Sequence, residues 1–289
     1  RLEDMNLVDD FLAYSLTIHK TYGKEATRYI LECILQRRIR HLTVVPQKVW
    51  YGEKPESHGV RLDVYLDEED GGIFDLEPDN NDGTSDVAML PRRVRFYHAK
   101  IDAGNLAAGE DYGNLRNVVV IFIATYDPFQ RNRLVYTIKT GCVEEPDMSY
   151  EDGARTIFLY TKGTEGEPPR ELQQLARYME CSTAENVCSA GLARLHEMVM
   201  EVKADREVGL AYMKSFEIEK RIRTKGKAEG KAEDILVLLS AKGAIPPEVK
   251  ETINAQMDMD VLNRWLLLAA ETANVEEFAQ RMHSARSQH

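Results

Sequence analysis

Asp63 and Glu77 are the residues of this sequence whose types and spacing could support catalysis. Asp63 lies within residues 59–66, whose apolar side chains alternate as in a β-strand with one buried face. Glu77 closes a second β-like segment, residues 73–77. Mg²⁺ prefers oxygen ligands, so two carboxylates on neighbouring strands could hold this ion beside a phosphodiester. A solvent-facing pair of acidic residues would give the same pattern.

A short turn separates these two segments. It is acidic and ends in Gly71 and Gly72, a composition typical of a hairpin. Strands joined by so short a turn pair antiparallel, so we expect Asp63 and Glu77 to be near neighbours across the pair. Asp is disfavoured in mid-strand without a specific reason, which favours a functional interpretation of Asp63.

The surrounding sequence alternates between helical and β patterns. Helical periodicity over residues 7–40, with Gly23 between two apolar series, predicts two helices. Residues 41–51 are β-rich, and Pro46 among them indicates an edge strand or a bulge. The remaining predicted elements are a polar loop over residues 78–89, a helix from Pro91 to about Asp102, a central strand over 117–125, and strands over 134–139 and 156–160.

The composition changes after Lys162. A Gly- and Pro-containing linker follows, and beyond it only helical periodicity is present. We predict an α/β domain over residues 1–165 and a helical region over 166–289 that serves oligomerisation or regulation. This region carries more apolar side chains than a short bundle can cover alone, which predicts packing between the protomers of a homodimer. The residues concerned are Ile235, Leu236, Leu239, Trp265 and Leu268.

The net charge of −11 excludes a uniformly basic nucleic-acid-binding surface, because affinity for DNA comes largely from Lys and Arg. Basic residues are concentrated locally, in residues 37–40, 92–95 and 214–231. The four cysteines fit no common zinc pattern. The sequence contains neither an apolar run of membrane-spanning length nor an apolar signal segment, so we expect a cytoplasmic protein with reduced thiols.

Several segments recur together in one known family, in this order and at compatible spacing. They are residues 9–11, 59–65, 74–77, 90–102, 109–112, 118–123 and 127–129, with the charged helix after Lys225. On these segments the sequence resembles the recombination-promoting nuclease (Rpn) family, also described as PD-(D/E)XK nuclease family transposases.

The resemblance implies a PD-(D/E)XK fold, which is a restriction-endonuclease-like mixed sheet flanked by helices. It also implies DNA endonuclease activity with Mg²⁺ or Mn²⁺, in bacterial proteins linked to recombination and mobile elements. Asp63 and Glu77 would be the first and second metal ligands. The first helix of such folds often adds a carboxylate, for which Glu32 is the best match and Glu25 an alternative.

One position departs from the family pattern. The second residue after the Glu is normally Lys, or Gln in many members, and here it is Asp79. An ionised Asp can neither supply positive charge nor donate a hydrogen bond, so Asp79 is an extra ligand or general base, or the site is impaired. A cation from the next helix could substitute, because Arg93, Tyr97 and Lys100 share one helical face.

Arg92, Arg93 and Arg95 are the residues predicted to contact DNA, although surface solvation would also explain them. Three functions therefore remain open. One is an active metal-dependent DNA endonuclease with Asp63, Glu77, Asp79 and Arg93 or Lys100 in its site. The second is a catalytically impaired relative that binds nucleic acid or a protein through the same cleft. The third is a protein-interaction module whose acidic surface faces a basic partner. The resemblance places the protein in the bacterial cytoplasm.

Overall fold

The computed structural model describes residues 1–46, 49–50, 60–61, 64–68, 71–79 and 87–286. The strands in these ranges are β1 (Leu42–Pro46), β2 (Val49–Trp50), β3 (Val60–Arg61), β4 (Val64–Glu68), β5 (Gly72–Asp79), β6 (Asn117–Ala124), β7 (Val135–Ile138) and β8 (Ala154–Tyr160). Strands β2 and β3 pair with each other. The other six form one mixed sheet in the order β1-β4-β5-β6-β8-β7.

Helices account for most of the remaining described residues. They are α1 (Asp10–Ile18), α2 (Gly23–Leu35), α3 (Leu90–Asn105), α4 (Arg170–Glu180), α5 (Ala190–Ala204), α6 (Arg206–Ser240), α7 (Pro247–Asn254), α8 (Met259–Glu271) and α9 (Val275–Arg286). Two helices form over this region, as predicted, and Gly23 is the first residue of the second one. A Cβ atom at Gly23 would lie 2.2 Å from the Thr17 carbonyl oxygen, so the close approach of the two helices requires glycine here.

The hairpin predicted around Gly71 is confirmed for its described residues. Strands β4 and β5 pair antiparallel, with Val64 opposite Leu76. Gly71 has a φ of +103°, a conformation that side chains disfavour, and it leads directly into β5. Asp63 lies outside the described residues, and so does its predicted pairing with Glu77.

The centre of the sheet is parallel. Strand β6 lies between β5 and β8 and runs parallel to both, and α3 provides the crossover between β5 and β6. Pro91 stands in the first turn of α3, where its missing N–H costs nothing. Strand β1 is an edge strand that ends at Pro46, so the prediction from that proline is confirmed. The predicted mixed sheet flanked by helices is confirmed as well.

The two faces of the sheet carry different cores. Phe74 and Leu76 of β5 belong to a large apolar core that includes residues of α1, α2, α4 and α5. Ile73 of the same strand packs in a smaller core with Val94 and Ile101 of α3. Side chains alternate along a strand, so β5 sends its even-numbered residues into the large core and its odd-numbered residues toward α3.

The chain divides into two compact units, Arg1–Gly209 and Leu210–His289. This division differs from the boundary predicted at residue 165. Helices α4 and α5 belong to the first unit because their apolar residues, such as Leu175 and Leu195, complete the large core over the sheet. The linker composition after Lys162 marked the end of the strands but not the end of the unit.

The second unit has its own core, formed by α7, α8, α9 and the C-terminal half of α6. Ile235 and Leu239 are fully buried, and Trp265 is 3% exposed. Leu236 and Leu268 pack against the same core. The expectation that a short bundle could not cover these residues alone is therefore wrong, because four helices enclose most of their surface within one chain.

Among the described helices, none is both long enough and apolar enough to cross a membrane.

Candidate active site

Three carboxylates alternate along β5 on the face that packs against α3. Asp75, Glu77 and Asp79 are buried, with exposed fractions of 0%, 1% and 4%. Asp79 is the last residue of the strand and pairs in parallel register with Ala124, the last residue of β6. Burial of ionised carboxylates is costly unless cations or hydrogen-bond donors compensate them, so this end of the sheet requires a compensating group.

Arg93, in the first turns of α3, provides a compensating cation. Its Nη2 donates to Glu77 Oε2 at 3.2 Å, and its Nη1 donates to Asp79 Oδ2 at 3.4 Å. The Arg93 side chain is 36% exposed, whereas those of Glu77 and Asp79 are 2% and 3% exposed. The guanidinium therefore closes the carboxylate pair on one side and faces solvent on the other.

Aromatic rings hold this guanidinium in place. Arg93 Nε donates to Tyr97 Oη at 3.0 Å, and the guanidinium carbon lies 5.3 Å and 5.2 Å from the ring centroids of Tyr97 and Phe122. Burial lowers the pKa of Arg93, but the Tyr97 hydrogen bond and the charges of Glu77 and Asp79 outweigh it and raise the pKa. Burial, and then the charge of Glu77, raise the pKa of Tyr97 to about 12. Both side chains therefore stay protonated at neutral pH.

Tyr126 is a site residue that sequence reasoning missed. Its hydroxyl donates to Asp79 Oδ2 at 3.2 Å. The signal that could have found it is its position, because Tyr126 follows the central strand β6 by two residues at the edge where β5 ends. Ligands of open α/β sheets bind outside the carboxyl ends of parallel strands, which makes polar residues there candidates. Phe122 was missed because it sits within an apolar strand and resembles ordinary core.

The other basic residues predicted on α3 make no hydrogen bond or ion pair with Glu77 or Asp79 within the described part of the chain. Arg92 and Arg95 are exposed on the outer surface of the helix. The Lys100 ammonium lies 5.7 Å from the ring centroid of Phe96. Of the two cations proposed to replace the missing Lys, the one in contact with the carboxylates is Arg93.

The predicted carboxylates of α2 make other contacts. Glu32 Oε1 accepts the Ile39 backbone N–H at 2.8 Å, so its described contact closes the turn after α2. Glu25 accepts two hydrogen bonds from Arg194 of α5, each at 2.9 Å. The Arg194 hydrogen bond is the main cause of the lowered pKa of Glu25. The structure thus links Glu32 to the turn after α2 and Glu25 to helix α5.

The carboxylates of β5 have the right chemistry for a hard divalent cation. Glu77 and Asp79 supply buried oxygen ligands of the type that Mg²⁺ prefers. Within the described ranges, no group of three or more His, Cys, Asp and Glu side chains could hold a metal ion. Asp63, the other predicted ligand, lies outside these ranges. The residues present fit part of a metal site, and Arg93 already balances some of their charge.

The comparison with protein families bears on this arrangement. A family model described as PD-(D/E)XK nuclease family transposase matches residues 17–149. These residues are similar to that family. The match contains Glu77, Asp79, Arg93 and Tyr126, and it covers just under half of the 289-residue chain. No curated protein and no solved structure matches the chain significantly.

The mixed sheet flanked by helices is consistent with a PD-(D/E)XK fold, and the family match suggests a nuclease-like function. PD-(D/E)XK nucleases typically use divalent metal ions. The family match ends before β8, so helices α4 to α9 lie beyond it.

Proposed function

We propose that the protein is a Mg²⁺- or Mn²⁺-dependent DNA endonuclease. The observation that carries the proposal is the contact of Arg93 with Glu77 and Asp79. All three residues lie in the part of the chain that matches a nuclease family. A cation fixed beside two buried carboxylates, and open to solvent on its other side, suits a phosphate group that approaches a metal site.

Asp63 and Glu77 would hold the metal ion. The described pairing of β4 and β5 ends with Val64 opposite Leu76, and in sequence Asp63 directly precedes Val64 while Glu77 directly follows Leu76. Glu32 remains a candidate third ligand through its Oε2 atom, because its Oε1 atom accepts the Ile39 amide. When bound, such an ion polarises the phosphodiester and makes hydroxide available near neutral pH.

Arg93 replaces the Lys that the family usually carries at the position of Asp79. Its guanidinium has five N–H donors, of which three are directed to Tyr97, Glu77 and Asp79. The remaining donors can contact a phosphate oxygen and stabilise the charge that develops during hydrolysis. Lys100, beside Phe96, then takes a phosphate-binding role rather than a catalytic one.

Asp79 has two roles in this proposal. It fixes Arg93 through Nη1 and is itself fixed by the Tyr126 hydroxyl. An ionised carboxylate can also accept a proton from water, so Asp79 is the candidate general base. Arg92 and Arg95, exposed on α3, would bind DNA phosphates beside the site.

The test is nicking of supercoiled plasmid by the full chain with Mg²⁺, with Mn²⁺ and with EDTA. We expect nicking with either metal ion, none with EDTA, and loss of activity in Asp63→Ala and Glu77→Ala. Asp147→Ala, which changes an exposed Asp outside the site, is the matched control and should nick at the parent rate. Nicking that survives both Asp63→Ala and Glu77→Ala would refute the assigned site.

A second candidate is a catalytically impaired relative that binds nucleic acid or a protein. Asp79 in the usual Lys position favours it, and so does Arg93, because a cation bound to both carboxylates competes with a metal ion. This function predicts DNA or protein binding that persists in EDTA, without nicking under any metal condition.

The family match, to nucleases described as transposases, supports a role in recombination or mobile elements. We propose that the protein acts in the bacterial cytoplasm. We also propose a homodimer. Its contact surface would differ from the apolar residues named in the sequence analysis, which pack within one chain. The N-terminal half of α6 exposes four large apolar side chains, between 53% and 64%, and a second copy could cover them. They are Leu210, Met213, Phe216 and Ile222. A monomeric mass in light scattering at micromolar concentration would contradict the dimer.

A further inference from the structure

The outer face of α3 is basic in an acidic protein. The helix carries Arg92, Arg93, Arg95 and Lys100 but only one carboxylate, Asp102. Arg92 and Arg95 are exposed, whereas Arg93 points to β5. The net charge of the chain is −11, so this concentration is a local exception that favours a polyanionic ligand on this face.

Phe96 lies in the middle of the basic face. Its side chain is 38% exposed, although it is a large aromatic residue on a helix that has an apolar core to bury such groups. Arg92 precedes it by four residues and Lys100 follows it by four, so the three side chains lie on one stripe of the helix. Lys100 Nζ is 5.7 Å from the Phe96 ring centroid. We call these three residues the α3 stripe.

The α3 stripe adjoins the candidate active site. Phe96 is three residues from Arg93, which corresponds to about 4.5 Å along the helix axis. Residues three apart lie on neighbouring faces of a helix, so the stripe borders the guanidinium that contacts Glu77 and Asp79. A nucleic-acid strand whose phosphate contacts Arg93 is therefore close enough to contact Phe96 as well.

We infer that the α3 stripe binds an unpaired segment of DNA, with one base stacked on Phe96 and the flanking phosphates bound by Arg92 and Lys100. Proteins that bind single strands combine a positive surface that follows the backbone with aromatic rings on which bases stack. In a duplex each base is already stacked and paired, so an isolated surface ring has no base face to contact. The inference rests on the proposed nuclease function and narrows its substrate to strands with an unpaired region beside the cut.

Binding without cleavage tests the inference. Fluorescence anisotropy would follow the full chain with one labelled oligonucleotide, either single-stranded or annealed to its complement, in EDTA at a fixed salt concentration. We expect tighter binding to the single strand. Phe96→Ala should weaken single-strand binding about tenfold and leave duplex binding nearly unchanged, because one base–aromatic stack is lost. Phe96→Tyr, which keeps a ring, should retain most of the affinity.

Two further variants keep the result interpretable. Phe96→Leu keeps an apolar side chain without a ring, so its affinity for the single strand should fall as much as that of Phe96→Ala. If the alanine variant does not fold, the leucine variant decides the question. Leu115→Ala changes another apolar residue with a similar exposed fraction, 41%, outside α3 and should bind both DNA forms as the parent does. Equal losses on single strand and duplex, or parent-like binding by Phe96→Leu, would overturn the stacking assignment.

The outcome also separates this inference from the nuclease proposal. If the parent nicks plasmid with Mg²⁺ but substitutions of Phe96 leave DNA binding unchanged, the stripe assignment fails and the nuclease function stands. If the parent binds single strands through Phe96 but never cleaves them with Mg²⁺ or Mn²⁺, the stripe assignment stands and the nuclease function fails.

Discussion

The two faces of strand β5 show how one segment can serve stability and chemistry at once. Phe74 and Leu76 enter a large core covered by four helices, and none of the carboxylates buried in the described part of the chain lies there. Asp75, Glu77 and Asp79 point to the opposite face, where α3 provides the covering helix. The alternation of a single strand therefore separates a purely apolar environment from a charged one.

The difference lies in what each face demands of its neighbours. An apolar face is satisfied by any well-packed hydrophobic cover, so α1, α2, α4 and α5 supply it with many interchangeable contacts. A face of buried carboxylates needs partners with defined geometry, which here are Arg93 and Tyr126. Substitutions on the first face should change mainly stability, and substitutions on the second should change mainly activity.

The largest stability effect should follow truncation on the apolar face. Phe74→Ala should lower the free energy of unfolding by about 3–5 kcal/mol, because Phe74 is 1% exposed and its removal leaves a cavity. Asp79→Asn, on the other face, keeps the shape and its hydrogen bonds to neutral groups and should cost about 1 kcal/mol. Urea denaturation followed by circular dichroism measures both. Equal losses in the two variants would break the comparison.

Arg93 should have the largest effect on activity among the described residues that contact the carboxylates. Arg93→Ala should reduce the nicking rate about 10²–10³-fold and weaken DNA binding less, because stabilisation of developing charge acts mainly in the transition state. Arg93→Lys keeps the charge but loses the fork that contacts Glu77 and Asp79 together, so an intermediate rate is expected.

Arg155→Ala is the matched control for Arg93. Arg155 is an exposed arginine of β8 that pairs with Glu151, and its removal should leave the nicking rate at the parent value. A parent-like rate in Arg93→Ala would show that the cation is dispensable. Asp79 would then have to act on the metal ion or on water without it.

Local signals in the sequence predicted the parts of the fold that depend on neighbours along the chain. Gly71 indicated the hairpin, Pro91 marked the start of α3, and the basic residues on one face of this helix predicted a cation near the carboxylates. Long-range packing was not visible in the same way. The position of α4 and α5 in the first unit depends on how their apolar faces meet a sheet that is formed far earlier in the chain.

The candidate site shows the same limit at the level of single residues. Tyr126 reaches Asp79 across 47 positions because β5 and β6 are parallel neighbours, a fact that periodicity does not encode. Glu32 matched the family pattern, yet its described hydrogen bond is to Ile39, a contact that depends on the shape of one turn. The sequence pattern predicted the strand that carries the carboxylates and the helix after it. The contact of Tyr126 with Asp79 depends on the register of the sheet.

Tyr126 offers a smaller test of the charged face. Tyr126→Phe removes the hydroxyl that donates to Asp79 and leaves the ring in place. One hydrogen bond to a charged group contributes about 1.5 kcal/mol or more, so the nicking rate should fall about tenfold if Asp79 positions Arg93. Tyr160→Phe, which removes the hydroxyl at the end of β8, provides the matched control. Parent-like nicking by Tyr126→Phe would exclude Tyr126 from the site.

The smallest expected effect concerns His98, on the same face of the sheet but away from the carboxylates. Its Nε2 lies 2.9 Å from Thr156 Oγ1, while its buried Nδ1 has no hydrogen-bond partner within the described chain. Burial lowers the pKa of His98 below its usual 6.5, and the nearby charge of Asp152 only partly offsets this. Below pH 6.5 the unfolded chain therefore binds a proton that the folded chain does not, and stability must fall as the pH falls.

His98→Gln removes this titration while keeping a polar group near Thr156. The free energy of unfolding of the parent should decrease from about pH 7 toward about pH 5 more steeply than that of the variant, by at most about 1.4 kcal/mol per pH unit for one proton. Urea denaturation across this range measures the difference. Parallel pH profiles would mean that His98 takes up its proton equally in both states. In that case the sheet face covered by α3 would hold a charged His98 imidazolium without a compensating partner. The need for partners with defined geometry, inferred from Glu77 and Asp79, would then not apply to the whole face.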